Sequence, residues 1–406
     1  METALNQIKL ARRVTDIRVS PSVAAAQKAR ELKAAGRDIV DLTVGEPDFD
    51  TPDAIKQAAI NAIRTGDTKY TPVNGTTALR EAIRHDFATR LGIACGLDGI
   101  CVGGGAKQIL FLALMATVEA GDEVIVPAPY WVSYPDMVIA NGGTPVIVAC
   151  GEAEGFKLTP AALEAAITPA TRWLVLNSPS NPTGAAYRED ELKAIGAVLE
   201  RHPHVFVLCD EIYDRFWYAG FPARSIISVM PGLAGRALVV NGVSKSHAMT
   251  GWRIGYGAGP KPLIDAINKL QSQSSSCPSS ISQAAAAAAL TGEQGPVAEM
   301  VALYRQRAEW ACARLNGIDG LSCREPDGAF YLFPNCAGLM GKTTPEGKTI
   351  GNDLDFVIYL LESVGVATIH GAAYGLEPYF RLSIATSMET LEEGCERIAR
   401  ACSALR

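Results

Sequence analysis

The sequence predicts an α/β protein: a mostly parallel central sheet with helices on both faces, joined to a smaller α+β part. Three observations carry this. Short apolar runs recur through the middle of the chain with helical stretches between them. Those runs are continuous rather than alternating, the pattern of strands buried on both faces. The two ends of the chain follow a different pattern, and at 406 residues there is room for about two domains.

In chain order, residues 24–35 read as a helix stopped by Gly36, and residues 38–42 as a short strand. Strands follow at 100–102, 123–126, 144–148, 173–176, 205–209, 237–240 and 254–258, with helices such as 106–119, 160–166 and 189–201 between them. The stretch from Ala284 to Ala289 is a good helix former. From Pro296 onward, Val297, Met300, Val301, Tyr304, Ala308, Ala311 and Leu315 keep a helical apolar stripe. Strand-like runs come next at 329–333, 366–369 and 379–384. A last helix starts near Ser387, with Leu391, Cys395, Ile398 and Cys402 on one face. The expected division is therefore a large domain over 51–295 and a small one built from 1–50 with 296–406.

Composition excludes several function classes. The chain carries 37 Lys+Arg against 43 Asp+Glu, a net charge of −6, which argues against a general nucleic-acid binder. No apolar run approaches the ~20 residues that span a bilayer, so no membrane partner is expected. The start, Met1 to Asn6, has neither a basic region nor an apolar run after it, unlike a secretory signal. The ten cysteines include no C-x-x-C and several sit in apolar runs, as Cys209 does; they read as core residues of a reducing, cytoplasmic protein. The histidines form no H-E-x-x-H, so no metal site is expected.

Familiar phosphate and nucleophile motifs fail. Gly341-Lys342-Thr343 lacks the earlier glycine of a P-loop, since position 336 is Cys. Gly255-Tyr256-Gly257-Ala258-Gly259 is not G-x-G-x-x-G. Gly242-Val243-Ser244-Lys245-Ser246 lacks the last glycine of a nucleophile elbow. Four other segments make chemical sense together. Gly103-Gly104-Gly105-Ala106-Lys107 lies between a strand and a helix, where backbone N–H groups and the helix terminus favour an anion. Asp210-Glu211-Ile212-Tyr213 places a carboxylate at a strand's carboxyl end, where α/β folds put ligands. Ser244-Lys245 follows another strand, and Arg253 is near enough in sequence to lower the lysine pKa, which suits Schiff-base chemistry. The fourth is Asn177 to Gly184, a rigid polar loop that ends another strand.

With these pieces in place, the chain resembles the class I, fold-type I aminotransferases, in particular the bacterial aspartate aminotransferase-like subgroup. The resemblance rests on Gly45-Glu46-Pro47-Asp48-Phe49-Asp50-Thr51-Pro52, Tyr70-Thr71-Pro72-Val73-Asn74-Gly75, Gly104-Gly105-Ala106-Lys107-Gln108 and Pro129-Tyr130-Trp131. It continues through Asn181-Pro182-Thr183-Gly184, Asp210-Glu211-Ile212-Tyr213, Ser244-Lys245 with Gly251-Trp252-Arg253, and Phe380-Arg381-Leu382-Ser383, in family order. It implies pyridoxal 5'-phosphate as cofactor. Lys245 then corresponds to the lysine that bonds the cofactor and shuttles the substrate proton. Asp210 corresponds to the partner of the pyridine nitrogen, Tyr213 and Asn181 to the partners of the ring oxygen, and Trp131 to the stacking ring. The backbone of Gly105, Ala106 and Lys107, with Arg253 and Ser244, corresponds to the phosphate site. Tyr70 corresponds to a residue that reaches the neighbouring subunit's phosphate, which implies a homodimer with shared active sites. Arg381, Gly45 and Asn181 correspond to the pocket for the substrate α-carboxylate.

The resemblance also bears on the substrate. Animal-type relatives bind the distal carboxylate with an arginine after the cofactor lysine, but here no Lys or Arg lies between Lys269 and Arg305. In the bacterial subgroup the lysine of the glycine turn does this, and Lys107 occupies that place. Ser22 matches a small hydroxyl residue near the same carboxylate, whereas Ala24 stands where relatives often have threonine. The expected activity is transfer of the amino group of L-aspartate to 2-oxoglutarate by a ping-pong mechanism. The alternatives are aromatic, branched-chain or prephenate substrates, or another pyridoxal-phosphate reaction such as β-elimination. The same fold also serves as the regulatory half of transcription factors, but the stretch before Gly45 is short and not basic enough for a DNA-binding region.

Overall fold

The computed structural model describes residues 8–19 and 21–406, except for the side chains of residues 22, 23 and 26. The N-terminal stretch Met1 to Asn6 and the Ser22 side chain therefore lie outside the described residues. Among the described residues, twelve strands follow in chain order: β1 (Val40–Asp41), β2 (Ile100–Gly103), β3 (Glu123–Ala128), β4 (Thr144–Ala149), β5 (Thr171–Asn177), β6 (Phe206–Asp210), β7 (Ala237–Gly242), β8 (Gly255–Ala258), β9 (Tyr331–Leu332), β10 (Val366–Ala367), β11 (Ile369–His370) and β12 (Phe380–Ser383).

Seven strands form the main sheet in the order β2-β8-β7-β6-β5-β3-β4. Only β8 runs against its neighbours; it is antiparallel to both β2 and β7. Successive side chains of the central strands β5 and β6 enter different cores. Leu174, Leu176, Val207 and Cys209 join one apolar cluster, while Trp173, Val175 and Leu208 join another on the opposite face. This explains the continuous apolar runs of the central strands, which have helices on both sides; in the edge strand β4, Ile147 remains exposed. Helix Ala106–Thr117 covers one face through Ile109, Leu110 and Ala113. Helices Thr77–Asp86, Glu189–Arg201 and Ser280–Thr291 cover the other. Gly255 permits the closest approach between layers, since a Cβ there would lie 2.0 Å from the Ala106 nitrogen.

The two ends of the described chain meet. β1 pairs in parallel with β10, Val40 opposite Val366, and Val40 and Leu42 share a core with helices Gly295–Asn316 and Met388–Ser403. Strands β11, β12 and β9 form a small antiparallel sheet beside them. Ser387 caps the last helix, its hydroxyl accepting from the Thr390 N–H.

Several elements differ from the sequence reading. The helix expected at 24–35 spans Pro21–Ala34, a short helix, Arg12–Asp16, precedes it, and the next strand is only Val40–Asp41. The helix after β2 stops at Thr117, because Val118 is extended. The expected strand over 366–369 is two short strands, since β10 pairs with β1 and β11 pairs with β12. The C-terminal part also contains a helix, Asp353–Tyr359, that the sequence reading left out. Its buried face, Phe356, Val357 and Tyr359, is too short to give a periodic signal. All the cysteines except Cys95 and Cys277 are buried, and burial pushes the Cys101 and Cys150 thiols up to about 12. No helix among the described residues is long and apolar enough to cross a membrane.

Candidate active site

The sheet directs the carboxyl ends of β5 and β6 and the segment after β7 towards one cavity of about 570 Å³. Its walls include Lys107, Asp210, Tyr213, Lys245, Arg253 and Arg381. Thr43, Gly45 and Glu46 come in from the N-terminal side, and Tyr331 from β9. Of the residues singled out in the sequence, the cavity also gathers Ala106, Trp131, Asn181 and Ser244. Tyr70 is not among its lining and is 90% exposed.

Lys245 follows β7, at the start of a turn that carries two left-handed residues, Ala248 and Arg253, with φ of 51° and 56°. Thr51 braces that turn: its hydroxyl donates to the Ala248 carbonyl at 2.6 Å and accepts from the Trp252 indole at 3.0 Å. The Lys245 ammonium donates to the Gly45 carbonyl oxygen. Burial lowers the Lys245 pKa to about 8, helped by the positive charges of Arg381, Arg253 and Lys107 and opposed by Glu46. A lysine in this range is part amine at neutral to mildly alkaline pH, the form that attacks a carbonyl carbon.

Asp210 ends β6 and is 4% exposed. Burial raises its pKa to about 6, against a hydrogen bond from Tyr134, another from the Ile212 N–H and the charge of Lys245. The Tyr134 hydroxyl donates to Oδ2 at 2.7 Å. Tyr213 shares a hydrogen bond of 2.9 Å with the Tyr331 hydroxyl, and burial holds its phenol well above the ordinary range.

Arg381 is 2% exposed. Its Nη1 donates to Asn181 Oδ1 at 3.1 Å and its Nη2 to the Thr43 carbonyl at 2.6 Å. The guanidinium lies 4.4 Å from the Tyr331 ring centroid and 5.4 Å from that of Tyr374. A flat cation clamped between rings, with no carboxylate beside it in these contacts, is prepared for a planar anion. Lys107 is more loosely held: its Nζ lies 3.3 Å from the Ser133 hydroxyl and 4.7 Å over the Trp131 ring. Burial and then Arg253 lower its pKa.

The glycine turn behaves differently from the simplest expectation. The Gly105 N–H donates to the Gly103 carbonyl at 2.8 Å, and the Gly104 N–H to Gln108 Oε1 at 2.5 Å. In this structure Gly105 is therefore not an open donor. Its contribution is conformational, with φ +100° and ψ 157°. A Cβ on it would lie 2.4 Å from Arg253 Nη2. The donors available at the helix start are the N–H groups of Ala106 and Lys107, which have no partner within a helix. Beside them Arg253 donates to the Thr250 and Gly104 carbonyls at 3.0 and 3.2 Å.

Sequence reasoning missed Tyr134, Tyr331, Thr43 and Glu46. Tyr134 sits three positions after Trp131, and their rings meet edge-on at 5.3 Å, so helical spacing gave a faint signal. Thr43 acts through its carbonyl, which leaves no side-chain signature.

The chain can now be set against known proteins. The model of the family described as aminotransferase class I and II matches residues 37–398. An aspartate aminotransferase of Rhizobium meliloti (strain 1021) is 52% identical over 395 residues, covering 97% of this chain and 96% of the relative. A probable aspartate/prephenate aminotransferase of Rhizobium leguminosarum bv. phaseoli is 52% identical, covering 98% and 99%. Among solved structures, the Rhizobium meliloti aspartate aminotransferase superposes with a TM-score of 0.97 at 51% identity, covering 98% of this chain and 100% of that one. The Thermus thermophilus aspartate aminotransferase with maleate gives 0.91 at 39%, covering 97% and 100%. With its cation-lined cavity, its mostly parallel sheet and these matches along nearly its whole length, the chain belongs to the aminotransferase class I and II family.

Proposed function

We propose that this protein transfers the amino group of L-aspartate to 2-oxoglutarate, using pyridoxal 5'-phosphate in a ping-pong cycle. The observation that carries this reading is the convergence of Lys245, Asp210 and Arg381 on one cavity. The residues fit the cofactor. Lys245 would hold it through Nζ, and Asp210 would pair with its ring nitrogen. Tyr213 and Asn181 would serve its ring oxygen, and Trp131 the ring face. The N–H groups of Ala106 and Lys107, with Arg253 and Ser244, would hold the phosphate beside the Gly105 turn. When bound, pyridoxal 5'-phosphate supplies an electron sink for the charge left on the substrate Cα.

The chain's own groups do the rest. Arg381 grips the α-carboxylate, and Lys107 meets the distal carboxylate at the open side of the cavity. The Lys245 amine, with a pKa near 8, takes the proton from Cα and returns it. The relatives named for aspartate support this choice, as does the Thermus thermophilus structure with maleate, itself a dicarboxylate. The name aspartate/prephenate on another relative keeps prephenate as the second reading. The active unit is a homodimer in the cytoplasm. Tyr70 suits this as an exposed aromatic residue with no place in its own cavity, and Ile60, Ile63, Phe111 and Met115 leave further apolar side chains at the surface. The division into 51–295 and 1–50 with 296–406 is part of the same proposal, supported by the core that Val40 and Leu42 share with the C-terminal helices.

A panel of amino donors with 2-oxoglutarate tests the reading. Aspartate should give the highest kcat/KM, and Lys245→Ala should abolish turnover. A clear preference for another donor, or turnover retained in Lys245→Ala, overturns it.

A further inference from the structure

The buried Tyr134–Asp210 pair has no role in the reading above. We infer that Tyr134 is a positioning residue for Asp210, its hydroxyl fixing one carboxylate oxygen and keeping the group ionised to meet a cationic ring nitrogen. The inference rests on the cavity being the pyridoxal-phosphate site.

The Asp210 carboxylate accepts two hydrogen bonds. One comes from the Ile212 N–H to Oδ1 at 3.3 Å, a local contact made by the turn itself. The other, at 2.7 Å from Tyr134, joins residues 76 positions apart and connects two elements of the cavity. Tyr134 lies in helix Ser133–Ala140 and is 4% exposed. Its ring packs edge-on against Trp131 at 5.3 Å, so it cannot swing away without disturbing the residue that faces the cofactor ring.

The direction of the proton is settled by chemistry. Burial and the nearby carboxylate hold the Tyr134 phenol well above its ordinary range. It is therefore a donor, and Asp210 the acceptor. A carboxyl group taken out of water tends to become neutral, and a neutral Asp210 has no charge to set against a ring nitrogen that carries a proton. Its other titratable neighbours are Lys245, which favours the ionised form, and Glu211, Cys209 and Tyr213. Of the groups opposing neutralisation, the Tyr134 hydroxyl is the largest. Phenylalanine would keep the ring and its contact with Trp131 while removing only that donor.

The test uses the apoprotein and pyridoxamine 5'-phosphate, which binds without a bond to Lys245. The dissociation constant is measured from pH 5.5 to 8.5 for the natural protein and for Tyr134→Phe. Affinity falls on the acid side as Asp210 takes up a proton. In Tyr134→Phe that acid limb should move up by about one pH unit, a tenfold change in the ionisation equilibrium. 3-Fluorotyrosine placed at position 134 keeps the side chain's shape and strengthens the donor, and should move the limb down. This pair of proteins also serves if Tyr134→Phe fails to fold. An acid limb at the same pH in the altered proteins, or an equal loss of affinity at every pH, overturns the inference. If the natural protein shows no saturable binding, the cofactor reading fails and takes the inference with it. If it binds but the limb does not move, only the role of Tyr134 fails.

Discussion

Gly105→Ala tests whether the turn before helix Ala106–Thr117 exists to seat Arg253 against a phosphate. At φ +100° and ψ 157° the backbone lies in a region reserved essentially for glycine, so any side chain there costs about 1–3 kcal/mol of stability. The new Cβ would also lie 2.4 Å from Arg253 Nη2 and 3.0 Å from its Cζ. To reach an ordinary contact distance, the guanidinium must retreat by about 1 Å. That breaks its place beside the Ala106 and Lys107 N–H groups and loses a charge-assisted hydrogen bond worth about 1.5–3 kcal/mol, or ~10–150-fold in affinity. The assay is titration of the apoprotein with pyridoxamine 5'-phosphate, alongside a thermal melt. Gly121→Ala is the control, because Gly121 has a similar φ of +98° but nothing within 4 Å of its would-be Cβ. It should lose stability and keep its cofactor affinity. Should Gly105→Ala bind the cofactor within about threefold of the natural protein, Arg253 is not a phosphate ligand and the reasoning fails.

Three further outcomes follow from the geometry. Arg381→Lys cannot reproduce the two bonds to Asn181 and Thr43, and KM should rise ~10–100-fold for aspartate and for an aromatic donor alike; a loss confined to one donor would remove Arg381 from the α-carboxylate. Lys107→Ala should lower kcat/KM for aspartate by about tenfold while changing an aromatic donor by less than about threefold, and equal losses would end its proposed role in binding the distal carboxylate. The third concerns pH. Because the folded Lys245 pKa lies near 8, below the ordinary 10.5, the unfolded chain holds more of that proton between these values. Lys245 should therefore make the apoprotein gain stability as pH rises from about 8 to 10.5. Urea unfolding of the natural protein and Lys245→Met across that range should show the gap between them shifting towards the natural protein, and a constant gap would refute the lowered pKa.

What could be read from the sequence depended on how local the signal was. The strand end carrying Asp210 was legible because an apolar run that stops at a charged residue marks both the strand and its exit from the sheet, whereas Lys245 stood out only as a lysine among small residues shortly after the run Ala237–Val240. Arg381 was found through the motif Phe380-Arg381-Leu382-Ser383, since nothing about a lone arginine in an apolar strand identifies a carboxylate site. Tyr134 and Tyr331 were not found, because each is defined by a partner far along the chain: Asp210 for the first, Tyr213 for the second. The direction of β8 was equally hidden, as a strand of small and apolar residues looks the same whichever way it runs. Gly105 was chosen for its N–H, yet that N–H is taken by Gly103 and its φ is what the site uses.

The reversed strand β8 also sets an order of events during synthesis. β2 borders the sheet only through β8, and Gly255 in β8 fits against the start of helix Ala106–Thr117. The glycine turn is thus made early in the chain but has no wall to lean on until residues 255–258 have left the ribosome. Its clamp, Arg253, arrives at the same moment, and Arg381 later still. Closing so long a loop slows folding, and a nascent chain cut short before β8 would hold an unsupported edge of the sheet and no phosphate site. Competence to take up the cofactor therefore reports that most of the chain is present and in register.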